Sequence, residues 1–228
     1  MTAITRSDAP RRTSPPTPGV LFEGTSWDDY EAMLRIVGDR PIRVTYDRGS
    51  MELMAPLWKH GGVSYLLGRI IDVLTEEWDI PVEAADPVTF KREDLAKGVE
   101  PDKCYYFGDH AAQVRGKDRL TMGVDPPPDL VIEADITASS LDRLGIYAAL
   151  GIREVWRFAD QSLQFLHLQG DRSFQARATS LHFPGLPLAL IFQALVQAEG
   201  SDKTAWVRSF RADVRALPPP PPRDHLEG

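Results

Sequence analysis

Two short segments hold the residues whose types and spacing could do chemistry. The first is Glu100-Pro101-Asp102-Lys103-Cys104-Tyr105-Tyr106. The second is Pro128-Asp129-Leu130-Val131-Ile132-Glu133-Ala134-Asp135-Ile136-Thr137. Each sets a carboxylate in an apolar, strand-like run. Side chains alternate across a strand, so Val131, Glu133 and Asp135 share one face and Leu130, Ile132 and Ile136 the other. An acid among apolar neighbours in a buried strand is unfavourable unless it is paired or bound to a metal. Glu133 and Asp135 would also repel each other. A divalent cation is one remedy, because Mg²⁺ takes oxygen ligands, commonly one or two carboxylates with water and phosphate. An ion pair of Glu133 with Arg143 or Arg157 is another. Asp102 follows a proline and by spacing alone also fits a turn. Cys104 shares its parity and reads as a small core residue, since no nucleophile pattern accompanies it.

The elements that must position these acids belong to one α/β domain. With 228 residues, 43% of them hydrophobic, the chain can bury a sizeable core. We place that domain at 21–200, after an N-terminal tail expected to be disordered (1–20) and before a C-terminal extension (201–228) that ends in a proline-rich tail. Helical spacing marks 27–37, with Ser26 as its cap, 60–78, ended by Pro81, and 188–198 as the last helix. A further helix starts at Ser139 or Ser140 and ends at Gly151. Strands are expected at 42–46 and 51–54, forming a hairpin through a glycine-containing turn, and at 82–90, 101–107, 120–124, 129–136, 154–158, 163–168 and 173–179. The order predicts a mixed β-sheet flanked by helices. Tyr105, Tyr106, Trp156 and Phe158 read as core or interface aromatics, and 154–158 with the C-terminal helix are candidate dimer surfaces. The basic stretch 115–119 could touch phosphate, though a solvated loop explains it as well.

No apolar run approaches the roughly 20 residues of a membrane span. The first 20 residues lack a secretory apolar core, and the single cysteine excludes an internal disulfide framework. A cytoplasmic location is expected. The net charge of −7 argues against broad, sequence-blind nucleic-acid binding. It leaves room for a site where bound metal offsets a carboxylate cluster.

The segments EPDKCYY, PPDLVIEADIT and SSLDRLGIYAALGIREVW, with the upstream YDRGSMELMAP followed by His60, resemble those of the Uma-type family. That family is a branch of the restriction-endonuclease-like PD-(D/E)XK nuclease superfamily, and the resemblance spans 20–187. It implies a central mixed sheet with the acids on adjacent strands and a helix on each face. It also implies that Asp102 and Glu133 hold Mg²⁺ (or Mn²⁺) against a scissile phosphate. Asp135 is a candidate third ligand, in competition with a helix-capping role. Glu52 and His60 fall where the family repeatedly has an acid and a histidine.

One departure bears on mechanism. The superfamily places a lysine two residues after the acid matched by Glu133, and here that residue is Asp135. By register the basic group moves to Arg143, with Lys91 as a fallback. Arginine can stabilise charge on phosphate but cannot serve as a base. The proton of the attacking water would pass through metal-assisted ionisation, substrate phosphate or His60. The expected function is metal-dependent hydrolysis of DNA phosphodiester bonds by a homodimer. Two alternatives stand beside it: a catalytically inactive nuclease-fold binding or assembly module, and a hydrolase of some other substrate on the same scaffold.

Overall fold

The apolar runs that read as strands pair into two sheets, not one. In the computed structural model, residues 4–5, 19–55, 58–85, 88–134, 139–218 and 220 are described, with the side chains of 4–5 and 58–61 outside the description. Among these residues the elements run β1 (Ile4–Thr5), β2 (Gly19–Glu23), α1 (Trp27–Val37), β3 (Arg43–Asp47), β4 (Ser50–Met54), α2 (Trp58–Glu77), β5 (Val82–Ala85), β6 (Phe90–Arg92) and β7 (Lys97–Val99). They continue with β8 (Lys103–Phe107), α3 (Gly108–Val114), β9 (Leu130–Ala134), α4 (Arg143–Leu150), β10 (Glu154–Ala159), β11 (Ser162–Leu168), β12 (Phe174–Arg177), α5 (Leu188–Ala198) and α6 (Lys203–Arg215).

The larger sheet has the order β1-β11-β10-β9-β8-β5, with β12 also paired to β11. β9 and β10 are parallel and joined through α4, while the other pairs are antiparallel. This is the expected mixed sheet. β9 lies between β8 and β10 and is buried at every position, which is why its sequence is a nearly unbroken apolar run. One face packs on α2, α5 and α6 through residues such as Leu67, Ile71, Trp156, Phe165 and Ile191. The other packs under α4 through Cys104, Val131, Tyr147 and Val155. Trp156 is fully buried on an inner strand, so the 154–158 segment is core and not the free surface expected for dimerisation.

The smaller sheet has the order β2-β4-β3-β7-β6. Its β3–β4 hairpin turns on Arg48 and Gly49, both at positive φ, the two-residue geometry that matches strand twist. α1 begins at the Ser26–Asp29 capping box and lays Tyr30 on Tyr46, with ring centroids 5.0 Å apart. Gly98 on β7 lets the Tyr30 ring approach, and a Cβ built there would overlap the Tyr30 hydroxyl. Because Tyr30 is wholly buried, Gly98→Ala should lose about 1–3 kcal/mol through overpacking. The midpoint of urea denaturation checks this; an unchanged midpoint would mean that the aromatic stack yields without strain.

Several boundaries differ from the sequence reading, each for a physical reason. The single strand expected at 82–90 is divided: β5 joins the large sheet and β6 the small one. Pro87 falls between them and has no N–H for a ladder. The strand expected at 120–124 reduces to one bridge, Met122 to Asp125, beside Gly123. α3 was not anticipated; its Ala111 and Val114 supply a one-turn apolar contact. The helix after β9 starts at Arg143, capped by Asp142, whose side chain accepts from the Gly145 amide. Within the stretch assigned to a C-terminal extension, α6 packs Trp206, Phe210 and Val214 at four-residue spacing against α2 and α5, so α5 is not the last helix. Most of the N-terminal 1–20, residues 135–138 and most of the proline-rich end lie outside the described residues.

Candidate functional site

The β8–β9 register pairs Lys103 with Ile132 and Cys104 with Val131. Extending it by one residue sets Asp102 opposite Glu133, both on the face that carries Cys104 and Val131. The acids are 8% and 1% exposed. The two carboxylates singled out in the sequence are therefore neighbours at one end of the strand pair.

Glu133 is held from α4. Arg143 and Tyr147 are four residues apart and so point the same way off the helix. Arg143 reaches Glu133 Oε1 from Nη2 at 2.5 Å and from Nε at 3.2 Å, and the Tyr147 hydroxyl donates to the same oxygen. The guanidinium also donates to Thr45 Oγ1 at 3.0 Å and to the Glu100 carbonyl at 2.7 Å. Burial opposes the charge on Arg143, but Glu133 and Tyr147 outweigh it and hold the pKa above its ordinary value. Burial pushes the Tyr147 hydroxyl well up, so it stays a neutral donor. Arg157, the other expected partner of Glu133, bonds Gln164 instead at 2.6 Å. Arg143 is 6% exposed and spans four partners, so it meets Glu133 from inside the protein.

Asp102 is held from the small sheet. Its Oδ1 accepts from Arg43 Nη1, and its Oδ2 accepts from the Ala134 amide at 2.6 Å. Arg43 and Thr45 alternate on β3, so both face the acids, and Thr45 pairs across the hairpin with Glu52. Glu52 is buried and accepts from Ser139 Oγ and the Ser140 amide, each at 2.6 Å. It ties the hairpin to the chain entering α4. Glu100 completes the cluster: burial raises its pKa, partly countered by Thr89, which donates to it at 2.9 Å.

The described cluster thus holds four carboxylates (Glu52, Glu100, Asp102, Glu133) and two guanidiniums (Arg43, Arg143). With all ionised the excess is two negative charges, which one divalent cation would balance. Among the described residues no three His, Cys, Asp or Glu side chains converge as a metal cage. Two carboxylates from neighbouring strands on one sheet face nonetheless suit Mg²⁺, which leaves the rest of its shell to water and phosphate. Asp135 and the side chain of His60 lie outside the described residues; the backbone of His60 belongs to the first turn of α2. Lys91 pairs with Glu31 of α1 at 2.6 Å and so is engaged away from the acids. In the basic stretch 115–119, Arg115 and Lys117 pair with Glu83 and Asp125.

Arg43, Thr45, Glu100 and Tyr147 were not picked out in the sequence. Tyr147 had a signal, four residues after Arg143. Arg43 and Thr45 had a weaker one, the same parity on a strand beside Glu52.

A family model for Uma2, described as "Putative restriction endonuclease", matches residues 27–197. Among solved structures, the crystal structure of a putative nuclease belonging to DUF820 from Anabaena variabilis is similar at 12% identity and a TM-score of 0.47, covering 80% of this chain and 98% of that one. No curated protein matches the chain.

Proposed function

We propose that this chain, which belongs to the Uma2 "Putative restriction endonuclease" family, is a metal-dependent endonuclease that hydrolyses DNA phosphodiester bonds. One observation carries this reading: Asp102 and Glu133, nearly buried and side by side, sit in a cluster whose carboxylates outnumber its guanidiniums by two. Asp102 and Glu133 would hold Mg²⁺ or Mn²⁺, with Asp135 as a third ligand. Such an ion supplies Lewis-acid polarisation of the phosphate and a more acidic bound water. Arg143 is a positioning residue in this scheme. It fixes Glu133 in one rotamer through two N–H donors to the same oxygen, and has no proton to give up. The water's proton is left to His60 or to solvent. Cutting both strands of a duplex calls for two sites or one site used twice, and a homodimer would provide the two.

A specific observation favours the second reading, an inactive nuclease-fold module. Both acids already have guanidinium partners, so the cluster is partly neutralised without metal. Nicking of supercoiled plasmid separates the two. Wild type should nick in Mg²⁺ or Mn²⁺ and not in EDTA, and Asp102→Ala and Glu133→Ala should each remove the activity. A folded wild type that nicks in no metal would leave the module reading. Nicking that survives both substitutions would place the chemistry elsewhere.

A further inference from the structure

The two arginines at the acids differ in kind. Arg143 is 6% exposed and its donors are spread over four groups inside the protein. Arg43 stands at the rim: its side chain is 26% exposed and its Nη1 bonds Asp102 Oδ1. It rises from β3 of the small sheet, across from the large-sheet strands that carry the acids. Two residues after Glu133, where the superfamily pattern has a lysine, the sequence has the acid Asp135. The cluster is otherwise net negative, and a polyanion approaching it needs a cation at the opening.

We propose that Arg43 is the phosphate-binding residue of this site, releasing Asp102 to grip the scissile phosphodiester. The inference rests on the nuclease reading above. Arginine suits the task because its planar fork matches two phosphate oxygens as it matches a carboxylate. One guanidinium can therefore exchange the one for the other with little reorganisation. While Arg43 sits on Asp102 it also competes with a metal ion for Oδ1. Loading of metal and transfer of Arg43 to phosphate should then favour each other.

The test uses the full chain and the variants Arg43→Ala, Arg43→Gln and Arg43→Lys. Glutamine can still donate to Asp102 and preserves the fold should alanine not; melting curves check this for each. Binding to a short DNA duplex is measured by anisotropy in Ca²⁺ across a salt series. Binding of Mg²⁺ without DNA is measured by calorimetry. Arg43→Ala and Arg43→Gln should bind DNA about tenfold more weakly, with a log K against log salt slope shallower by about 0.9, the loss of one phosphate contact. Their affinity for Mg²⁺ alone should rise several-fold. Arg43→Lys should keep the slope but fall in cleavage, having lost the fork. An unchanged slope with wild-type nicking would overturn the proposal and leave the nuclease reading intact. A fall in Mg²⁺ affinity would also overturn it, making Arg43 part of the metal scaffold. A wild type that binds DNA without cutting it, with the slope still lost on substitution, would remove the nuclease reading and keep Arg43 as a phosphate contact. A wild type that binds no DNA removes both.

Discussion

Arg143→Ala is expected to lose about 3–5 kcal/mol of folding stability, because it strands Glu133 as an unpaired charge at 1% exposure. Domains of this size are held by about 5–15 kcal/mol in total, so the variant should lie close to unfolding. Chemical denaturation, with the slope compared to confirm a single transition, measures the loss. Two further variants separate the causes. Arg143→Lys keeps the charge but cannot reach Glu133, Thr45 and the Glu100 carbonyl together, so it should recover only part of the stability. Arg143→Met combined with Glu133→Leu removes both charges and should recover most of it, since a buried ion pair is worth little against apolar groups of like volume. If Arg143→Ala instead falls within about 0.5 kcal/mol of wild type, the range of a surface substitution, Glu133 is not a buried charge in solution. The cleavage reading would then lose its positioning residue as well. The double variant is also informative for function, being folded and unable to bind metal at Glu133.

This ion pair shows how far the sequence carries. Glu133 stood out because an acid inside VIEADI is physically anomalous, and Arg143 followed from helical register. Both ends of that bond were legible because each is set by local periodicity. Asp102 by spacing alone fits a turn, and the family resemblance is what singled it out; its contact with β9 then follows from antiparallel register. The partner Arg43 was legible only in part: its parity with Thr45 on a strand beside Glu52 set a face. It arrives from a second sheet, and strand alternation does not say which sheet that face packs on. The same limit explains the 82–90 strand, expected as one element although its two ends serve different sheets. A proline marked the break, but not that the chain would change layers. The missed helix α6 is a different case. Trp206, Phe210 and Val214 carry the four-residue spacing of an apolar stripe, a local signal for a helix within the C-terminal extension. The α4 cap falls between the two. Ser139 had the right chemistry, yet its hydroxyl goes to Glu52, a residue 87 positions away, and Asp142 takes the cap.

The second large effect is expected on the opposite face of the large sheet. Glu154, at the start of β10, is 0% exposed. Its carboxylate accepts from Trp156 Nε1 at 2.9 Å, and from Ser180 Oγ and the Leu181 amide at 3.1 Å each. His167 Nε2 lies 3.5 Å from one oxygen and His182 Nε2 3.9 Å from the other. Burial alone would push this carboxyl up, but the two histidines and Trp156 outweigh it and hold the pKa below the usual glutamate value. A carboxyl depressed in the folded state contributes stability that is complete above its unfolded pKa, about 4.3, and is lost as the pH falls through the folded value. Glu154→Ala should therefore lose about 3 kcal/mol at pH 7, since it leaves several buried donors without an acceptor. Glu154→Gln should lose less at pH 7, and its stability should fall less steeply than wild type below pH 4, because the amide has no proton to gain. Comparing the two proteins isolates this group from the other carboxylates, which titrate in both. If the acid limbs of wild type and Glu154→Gln coincide, the charge of Glu154 is not what fastens the chain around Ser180 to the sheet, and its neutral hydrogen bonds must do so. The distinction bears on the site across the sheet, because β10 pairs with β9 along the residues that lead to Glu133. A loosened Glu154 end that left cleavage unchanged would show that the two faces of the strand pair hold their carboxylates independently.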